Sequence, residues 1–465
     1  MKIAAIIAEY NPFHNGHRYL AQTVRERTGA DFVVSVMSGC FVQRGAPALL
    51  DKYTRTRLAL ESGIDLVIEL PVVYALGQAD QFASGAVRVL DALGCDFLGF
   101  GCEDDDLGRL REAAALFDEE PDDYWDILSG ALKEGVSYPA AREKAACASL
   151  RQRNPEIFPS DEAVQTLLRG SNNILAISYL AAMHHIKSAM EPVPVLRIGS
   201  GHRETLLPET PNPSSDDPSA VPEPILLQPE GVIPGSIASD GTGQIRGKVS
   251  PRLYPSARAI REVLADSCRT HRFLSAYPAL RRSVNAAVYE ALQDARTHQT
   301  LQSEDDYTVM LRYRLLQADR AEILSACGQN EGLANRLGHH RSGWQSVTEL
   351  ITDVKHKGYT WTGISRALFR LLLNIDDAAE TAAAQLSYAR VLGMRTEASG
   401  ILQEWKSSAG IPVILSLTDD TKNLTETQKM LLVKDLFAAD LYAAATELKT
   451  GILQENEYTR KFLRI

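Results

Sequence analysis

Nowhere in the 465 residues is there a run of the roughly 20 uncharged apolar residues that a membrane-spanning helix needs, so no transmembrane segment is expected. Cysteine is sparse and scattered, at Cys40, Cys95, Cys102, Cys147, Cys268 and Cys327. With no Cys-x-x-Cys pair and no Cys/His grouping at zinc spacing, a disulfide framework and a zinc module are excluded, and reduced, mostly buried thiols are expected. Positive charge is also short: 49 Lys and Arg stand against 59 Asp and Glu, a formal charge of -10. The surface as a whole does not attract nucleic acid, and any RNA contact has to come from cations gathered in one place. The amino terminus lacks the succession of basic, apolar and small residues that marks a signal peptide, so a cytoplasmic protein is expected.

What is present, 45% hydrophobic and 23% charged residues, is the composition of a globular chain long enough for two or three domains. Its organising stretch is Ile6-Ile7-Ala8-Glu9-Tyr10-Asn11-Pro12-Phe13-His14-Asn15-Gly16-His17. The apolar run from Ile3 to Ala8 stops at Glu9-Tyr10-Asn11, Pro12 fixes a turn, and Gly16-His17 opens an amphipathic segment reaching Thr28. That order predicts strand, loop, helix. In a parallel sheet such a loop lies at the carboxyl edge, where the next helix offers free N–H groups and the positive end of its dipole to a phosphate. His14 and His17, three apart on a first turn, share a face, and Gly16 lets a nucleotide approach the backbone.

His14-Asn15-Gly16-His17 resembles the His-x-Gly-His signature of the nucleotidyltransferase superfamily, which includes class I aminoacyl-tRNA synthetases and small adenylyltransferases. The longer string from Glu9 to His17 resembles the tRNA(Met) cytidine acetate ligase family. The likeness continues through Met37-Ser38-Gly39, Gln43-Arg44-Gly45, Asp65 to Pro71, Phe100-Gly101 and Asn172-Asn173-Ile174-Leu175, and more loosely through the last third. Members of that family activate acetate with ATP and acetylate the wobble cytidine of elongator methionine tRNA. The resemblance therefore implies ATP as a substrate, accompanied by Mg2+, with acetate and tRNA as partners. It implies nucleotide contacts from Ile7, Ala8, Glu9, Tyr10, Asn11, Pro12, Phe13, His14, Asn15, Gly16, His17, Arg18, Tyr19 and Leu20. Gly101, Asn172, Asn173, Arg197, Ile198 and Ser256 join them, with no metal ligand among the residues. His14, His17 and Arg261 would carry the catalytic charge.

Further along, strands expected at Phe32 to Val36, Asp65 to Leu70, Phe97 to Phe100 and Val193 to Ile198 alternate with helical segments at Asp51 to Ser62 and Gln78 to Leu93. This predicts an α/β fold with a doubly wound parallel sheet, the site running along its carboxyl edge. Loops at that edge offer Ser38, Gly39, Gln43, Arg44 and Gly45, and Lys52 with Arg55 on the following helix; the alternative for these is turn glycines and a solvated helix face. From Glu103 the chain is acidic and helical, through Leu107 to Phe117, Tyr124 to Lys133 and Pro139 to Leu150, until Arg169-Gly170-Ser171-Asn172-Asn173 breaks the pattern. There an asparagine serves as an N-cap or as a nucleotide contact.

Between Glu204 and Ser250 the composition changes. Eight prolines lie from Pro208 to Pro234, and amphipathic periodicity is almost absent, which predicts a mobile insertion. Gly241 and Gly243 with Arg246 and Lys248 imitate a phosphate loop but lack a preceding strand. Ser256-Ala257-Arg258-Ala259-Ile260-Arg261 then starts a helix that resembles the family's Ser-Ala-Thr-x-Ile-Arg. Arg258 stands in place of the threonine, which removes a hydroxyl and adds a charge.

The remainder is mainly helical: Pro278 to Ala295, Asp306 to Leu315, Ala318 to Ser325 and Leu333 into Leu337, with a small strand at Val413 to Leu417 in a mixed carboxyl-terminal subdomain. Lys355-His356-Lys357-Gly358-Tyr359-Thr360-Trp361-Thr362, followed by Arg366 and Arg370, interleaves cations with aromatics able to stack on bases. It is the candidate RNA surface, although Gly363 occupies the place of another arginine of the family. Residues 1–268, with the insertion at about 204–250, are expected to form the ATP-binding domain, and 269–465 the tRNA-binding domain. The function expected is an ATP-dependent ligase that makes acetyl-adenylate and acetylates N4 of the cytidine. The alternatives are an adenylyltransferase acting on a small phosphorylated metabolite and a non-catalytic, nucleotide-responsive RNA-binding protein.

Overall fold

The computed structural model describes residues 1–136, 138–197, 238–239, 245–246, 256–356, 358–385 and 387–465. Period-two burial turns the amino-terminal strands into the middle layer of a three-layer structure. In β1 (Ile3–Ala8), Ile3 and Ala5 face one apolar core while Ala4, Ile6 and Ala8 face the other. In β2 (Phe32–Ser38), Val34 and Val36 are divided from Val33 and Met37 in the same way. Strands buried on both faces need helices on both faces, which is why they read as continuous apolar runs.

β3 (Leu66–Leu70), β4 (Phe97–Cys102) and β5 (Glu191–Leu196) complete the parallel part. Three more strands come from the carboxyl-terminal half: β6 (Ala389–Met394), β7 (Val413–Ile414) and β8 (Leu463–Arg464). Among the described residues the sheet has eight strands, in the order β7-β6-β3-β2-β1-β4-β5, with β8 also on β6. Because β2 and β3 step away from β1 on one side and β4 and β5 on the other, the topology switches between β1 and β4. The crevice at the carboxyl ends of those strands is where such sheets take ligands.

The five parallel strands lie where alternation places them, with ends shifted by two residues or fewer. β6 was not foreseen. It runs antiparallel to β3, with Arg390 opposite Glu69, and covers an edge that would otherwise be open. Val413–Ile414 is therefore not part of a separate small sheet; it extends the main one. The expected helix from Pro278 to Ala295 is two, Pro278–Ser283 and Ala286–Thr297, because Asn285 leaves the helix to accept the Val288 N–H at 2.9 Å as an N-cap. The helices that matter below are α1 (Asn15–Thr28), α2 (Lys52–Glu61), α3 (Ala79–Ala92), α4 (Ser171–His185), α5 (Ala257–Thr270), α6 (Trp361–Leu372) and α7 (Glu426–Thr450).

Charge as well as the ladder holds β6. Lys52 Nζ lies 2.8 Å from Glu69 Oε1 and 3.0 Å from Glu457 Oε2, and Arg390 Nη1 lies 3.1 Å from Glu69 Oε2. These side chains are 1%, 4%, 11% and 6% exposed in the order Lys52, Glu69, Glu457, Arg390, so the two charges of each sign compensate one another away from water. Burial pushes the Glu457 carboxyl up, but Lys52 and Arg390 outweigh it and hold that carboxyl well below the usual range. Farther along, Asp435 of α7 accepts the Val72 N–H at 2.6 Å, and the Tyr442 hydroxyl donates to Ala48 O at 2.9 Å.

The thiols of Cys40, Cys95, Cys102 and Cys147 are buried and free. Among the described residues no helix is long and apolar enough to cross a membrane. Within 204–250 the described backbone is the antiparallel pairing of Ala238–Ser239 with Ile245–Arg246. The rest of the insertion lies outside the described residues.

Candidate active site

His14 sits at the N-cap of α1 in extended backbone, and its Nδ1 accepts the Gly16 N–H at 3.1 Å. His17 Nδ1 in turn accepts the His14 N–H at 3.3 Å. Two of the unsatisfied N–H groups near the start of α1 are thus taken by imidazoles. The rings stack at 3.8 Å with 23° between their planes. A Cβ on Gly16 would come within 2.9 Å of the His14 ring, so this position admits only glycine while the pair is stacked. Tyr10 and Phe13 support the His17 ring from below, at 5.1 and 5.4 Å between centroids.

Burial, with the neighbouring charges of His17, Arg197 and Arg261, holds the His14 pKa well below its ordinary value. Burial and then Arg197 lower His17 to about 3. Both rings are neutral at pH 7. Since each Nδ1 accepts a backbone N–H, the hydrogen-bond network assigns each ring proton to Nε2, which is free to donate.

These imidazoles line a cleft of about 780 Å³ at the carboxyl ends of β1, β4 and β5. Arg44, Arg197, Arg258 and Arg366 also line it, against one carboxylate among the described lining residues, that of Glu9. Arg44 lies on the tight turn between Phe41–Val42 and Ala46–Pro47, whose Gly45 has φ +75 and no room for a Cβ: backbone N of Arg366 would be 2.2 Å away. Ser365 Oγ donates to Gly45 O at 2.5 Å. That close seat on the first turns of α6 brings Thr362 and Arg366 of the carboxyl-terminal half into the cleft.

Of the residues expected from the sequence, Ile7, Ala8, Glu9, Tyr10 and Asn11 line the cleft, as do His14, Gly16, His17, Tyr19 and Leu20. Gly101, Asn172, Arg197 and Ser256 line it from the other side, Ser256 also capping α5 through the Ala259 N–H at 3.2 Å. Pro12 and Phe13 are buried beneath the loop, Arg18 is exposed, and Asn15 donates its amide to Arg282 O at 2.8 Å, so these four are not brought to the cavity wall. Asn173 is buried, with Oδ1 accepting the N–H groups of Glu103 and Asp104 at 2.8 and 3.1 Å. Arg261 donates to Asn11 O at 2.6 Å and so braces the loop from behind. Burial and then Arg44 bring its pKa down to about 10, which leaves it charged at pH 7. Ile198 lies outside the described residues.

Several cations go elsewhere. Arg55 is neither a phosphate ligand nor solvated: fully buried, it donates to Leu50 O at 3.0 Å, Glu9 O at 2.8 Å and Ser38 O at 2.9 Å, and also to Gly39 O. It ties the ends of β1 and β2 together beneath the cleft. Lys52 belongs to the buried ion cluster at β6. In the candidate RNA segment, Arg370 is buried against Glu380 at 2.5 Å and Tyr359 packs its hydroxyl over Gly332, while Trp361 is half-buried against the core. Lys355 and His356 remain exposed, and Lys357 lies outside the described residues. What the sequence did not single out is the apolar wall made by Ala79 and Phe82 of α3 with Tyr179 of α4, which Leu175 of the Asn172 motif completes. Nothing in their spacing separates them from ordinary core positions.

The family model described as HIGH Nucleotidyl Transferase matches residues 1–216 and 233–457. The tRNA(Met) cytidine acetate ligase of Thermoanaerobacter sp. strain X514 is 34% identical over 96% of this chain and 96% of its own length. The protein of that name from Acetivibrio thermocellus is 31% identical over 95% of this chain and 94% of its own. Among solved structures, apo TmcAL of Thermotoga maritima superposes with a TM-score of 0.81 at 25% identity, covering all of both chains. The same protein bound with alpha-thio ATP gives 0.80 at 24% and shares the fold. Matched by that family model over most of its length and by a relative 34% identical over 96% of it, the chain belongs to the tRNA(Met) cytidine acetate ligase family of HIGH nucleotidyl transferases.

Proposed function

We propose that the cleft joins acetate to ATP, releasing diphosphate, and that the acetyl group of the adenylate then passes to N4 of the wobble cytidine of elongator methionine tRNA. The observation that carries this reading is the stacked pair His14 and His17, two Nε2–H donors at a helix start, in a cleft whose described lining has four guanidinium groups and one carboxylate. In the first step an acetate oxygen attacks the α-phosphorus, the bond to the bridging oxygen breaks, and diphosphate leaves. Such a displacement asks mainly for positioning and for stabilisation of charge on phosphoryl oxygens. His14 and His17 supply hydrogen bonds; Arg44, Arg197, Arg258 and Arg366 supply charge; Arg261 holds the loop.

The residues fit a Mg2+ carried by the triphosphate itself. Glu9, whose Oε1 already accepts the Gln43 N–H at 2.8 Å, is the carboxylate that could reach it, and Mg2+ in nucleotide sites takes few protein ligands. In the second step N4 of cytidine attacks the acetyl carbon and AMP leaves. The tRNA approaches along the carboxyl-terminal half, past the exposed Lys355 and His356 toward Arg366, as part of the division at residue 268 into a nucleotide half and an RNA half. We place the reaction in the cytoplasm.

Incubation with labelled ATP, with and without acetate and tRNA, is the test. AMP and diphosphate appearing only with acetate, and N4-acetylcytidine appearing only when tRNA is added, are expected. A dinucleotide product would instead indicate an adenylyltransferase, and absence of any product would overturn the enzymatic reading.

A further inference from the structure

We propose that Glu103 is a positioning residue which, through Asn172, aims Arg197 at the bound nucleotide. Glu103 follows the last residue of β4 and is not part of the cleft wall, so it touches no substrate. Its carboxylate sits on the start of α4: Oε1 accepts the Asn172 side-chain NH2 at 2.5 Å and the Asn172 N–H at 3.3 Å, and Oε2 accepts the Asn173 N–H at 2.8 Å. The cap is reciprocal, because Asn173 Oδ1 accepts the N–H groups of Glu103 and Asp104. β4 and α4 are thereby locked end to end.

A carboxylate only accepts, so it leaves the Asn172 amide a single orientation, NH2 toward Glu103 and carbonyl away. On the far side, Asn172 Oδ1 accepts from Arg197 Nη1 at 2.8 Å, and the Arg197 main chain is tied by its N–H to Cys102 O at 2.9 Å. Arg197 therefore reaches the cleft already held at one nitrogen, with its other side-chain donors unpaired among the described residues. Ordering such a long side chain before the ligand arrives moves its entropic cost from binding to folding. The same arrangement explains what α4 does not do. Its N-terminus, a ready seat for phosphate, is filled by a protein carboxylate, which leaves the start of α1 and the Arg197 guanidinium for the nucleotide.

The proposal rests on the nucleotide reading of the cleft and not on the identity of the acyl acceptor. ATP affinity is measured by calorimetry for the wild type, Glu103→Gln, Arg197→Ala and the double variant, with thermal melting alongside. Glu103→Gln keeps the side-chain volume and one carbonyl oxygen, but its NH2 cannot accept the Asn173 N–H. Expected are a roughly tenfold weaker ATP affinity for Glu103→Gln and less than a twofold further effect once Arg197 is alanine, the mark of coupled residues. The KM for ATP should rise while that for acetate stays unchanged. Glu103→Ala repeats the cycle without any cap. Wild-type affinity in both Glu103 variants, or an equal loss in the Arg197→Ala background, overturns the proposal and leaves Glu103 as a helix cap. A wild type that does not bind ATP overturns the nucleotide reading and this proposal with it.

Discussion

The cleft and the joint between β3 and β6 are both built on charged side chains, and they use them in opposite ways. At the joint, Lys52 and Arg390 meet Glu69 and Glu457, so charge cancels inside the cluster and nothing is left for a ligand. Among the described residues of the cleft four arginines face one carboxylate, and the two histidines that would add charge are kept neutral. Positive charge in excess of its protein partners is what a polyanion can use. Arg44 and Lys52 come from one short stretch of chain yet end on opposite sides of this division, one in the cleft and one in the cluster.

The comparison breaks first at Arg390. Arg390→Met leaves two buried carboxylates with Lys52 alone and should cost about 3–5 kcal/mol in urea unfolding, as expected for a buried pair deprived of one partner. ATP affinity of the folded protein should be unchanged; a variant that stays stable but binds ATP poorly would reverse the assignment of the two clusters. His17→Ala tests the other side. It should leave unfolding near wild type and slow acetate-dependent exchange of diphosphate into ATP by roughly 10²-fold to 10³-fold, the loss typical of one preorganised donor.

Titration separates the two regions by pH window. A histidine in the unfolded chain binds a proton below its ordinary value of 6.5, whereas folded His17 resists until about 3, so the unfolded state holds more protons between those values and stability falls as pH falls through them. Glu457 is depressed in the folded state, and its contribution is present above the ordinary 4.5 and is lost only below it. Melting temperature against pH should therefore begin to slope below 6.5, and His17→Gln should reduce that slope from 6.5 down to about 3, leaving the Glu457 contribution that sets in only below 4.5. The smallest expected effect is on RNA. Changing Lys355 and Lys357 together to Ala should make the log-log salt dependence of tRNA binding shallower by about one to two units, with ATP binding unaffected. An unchanged slope would move the RNA surface away from this segment.

Much of the site was legible because its signals are local. Alternating burial in Ile3 to Ala8, the polar stop at Glu9 and the spacing of His14 and His17 each depend on neighbours within a few residues, and the stacked rings at the start of α1 occur where those signals put them. The basic, aromatic run after Lys355 was legible as a composition but not as a surface. Whether Arg370 faces solvent depends on Glu380, and whether Arg366 reaches the cleft depends on the turn at Gly45.

Sequence periodicity and turn chemistry were enough to establish a doubly wound sheet, a loop at its carboxyl edge and the histidines that occupy it, since strand alternation and helix capping are decided over a few bonds. Folding in three dimensions was needed to assign Lys52 to Glu69 and Glu457, Arg55 to four backbone carbonyls, and β6 to the edge of β3. A buried charge takes the partner that packing brings within about 3 Å, and here those partners come from distant parts of the chain, where no local pattern can announce them.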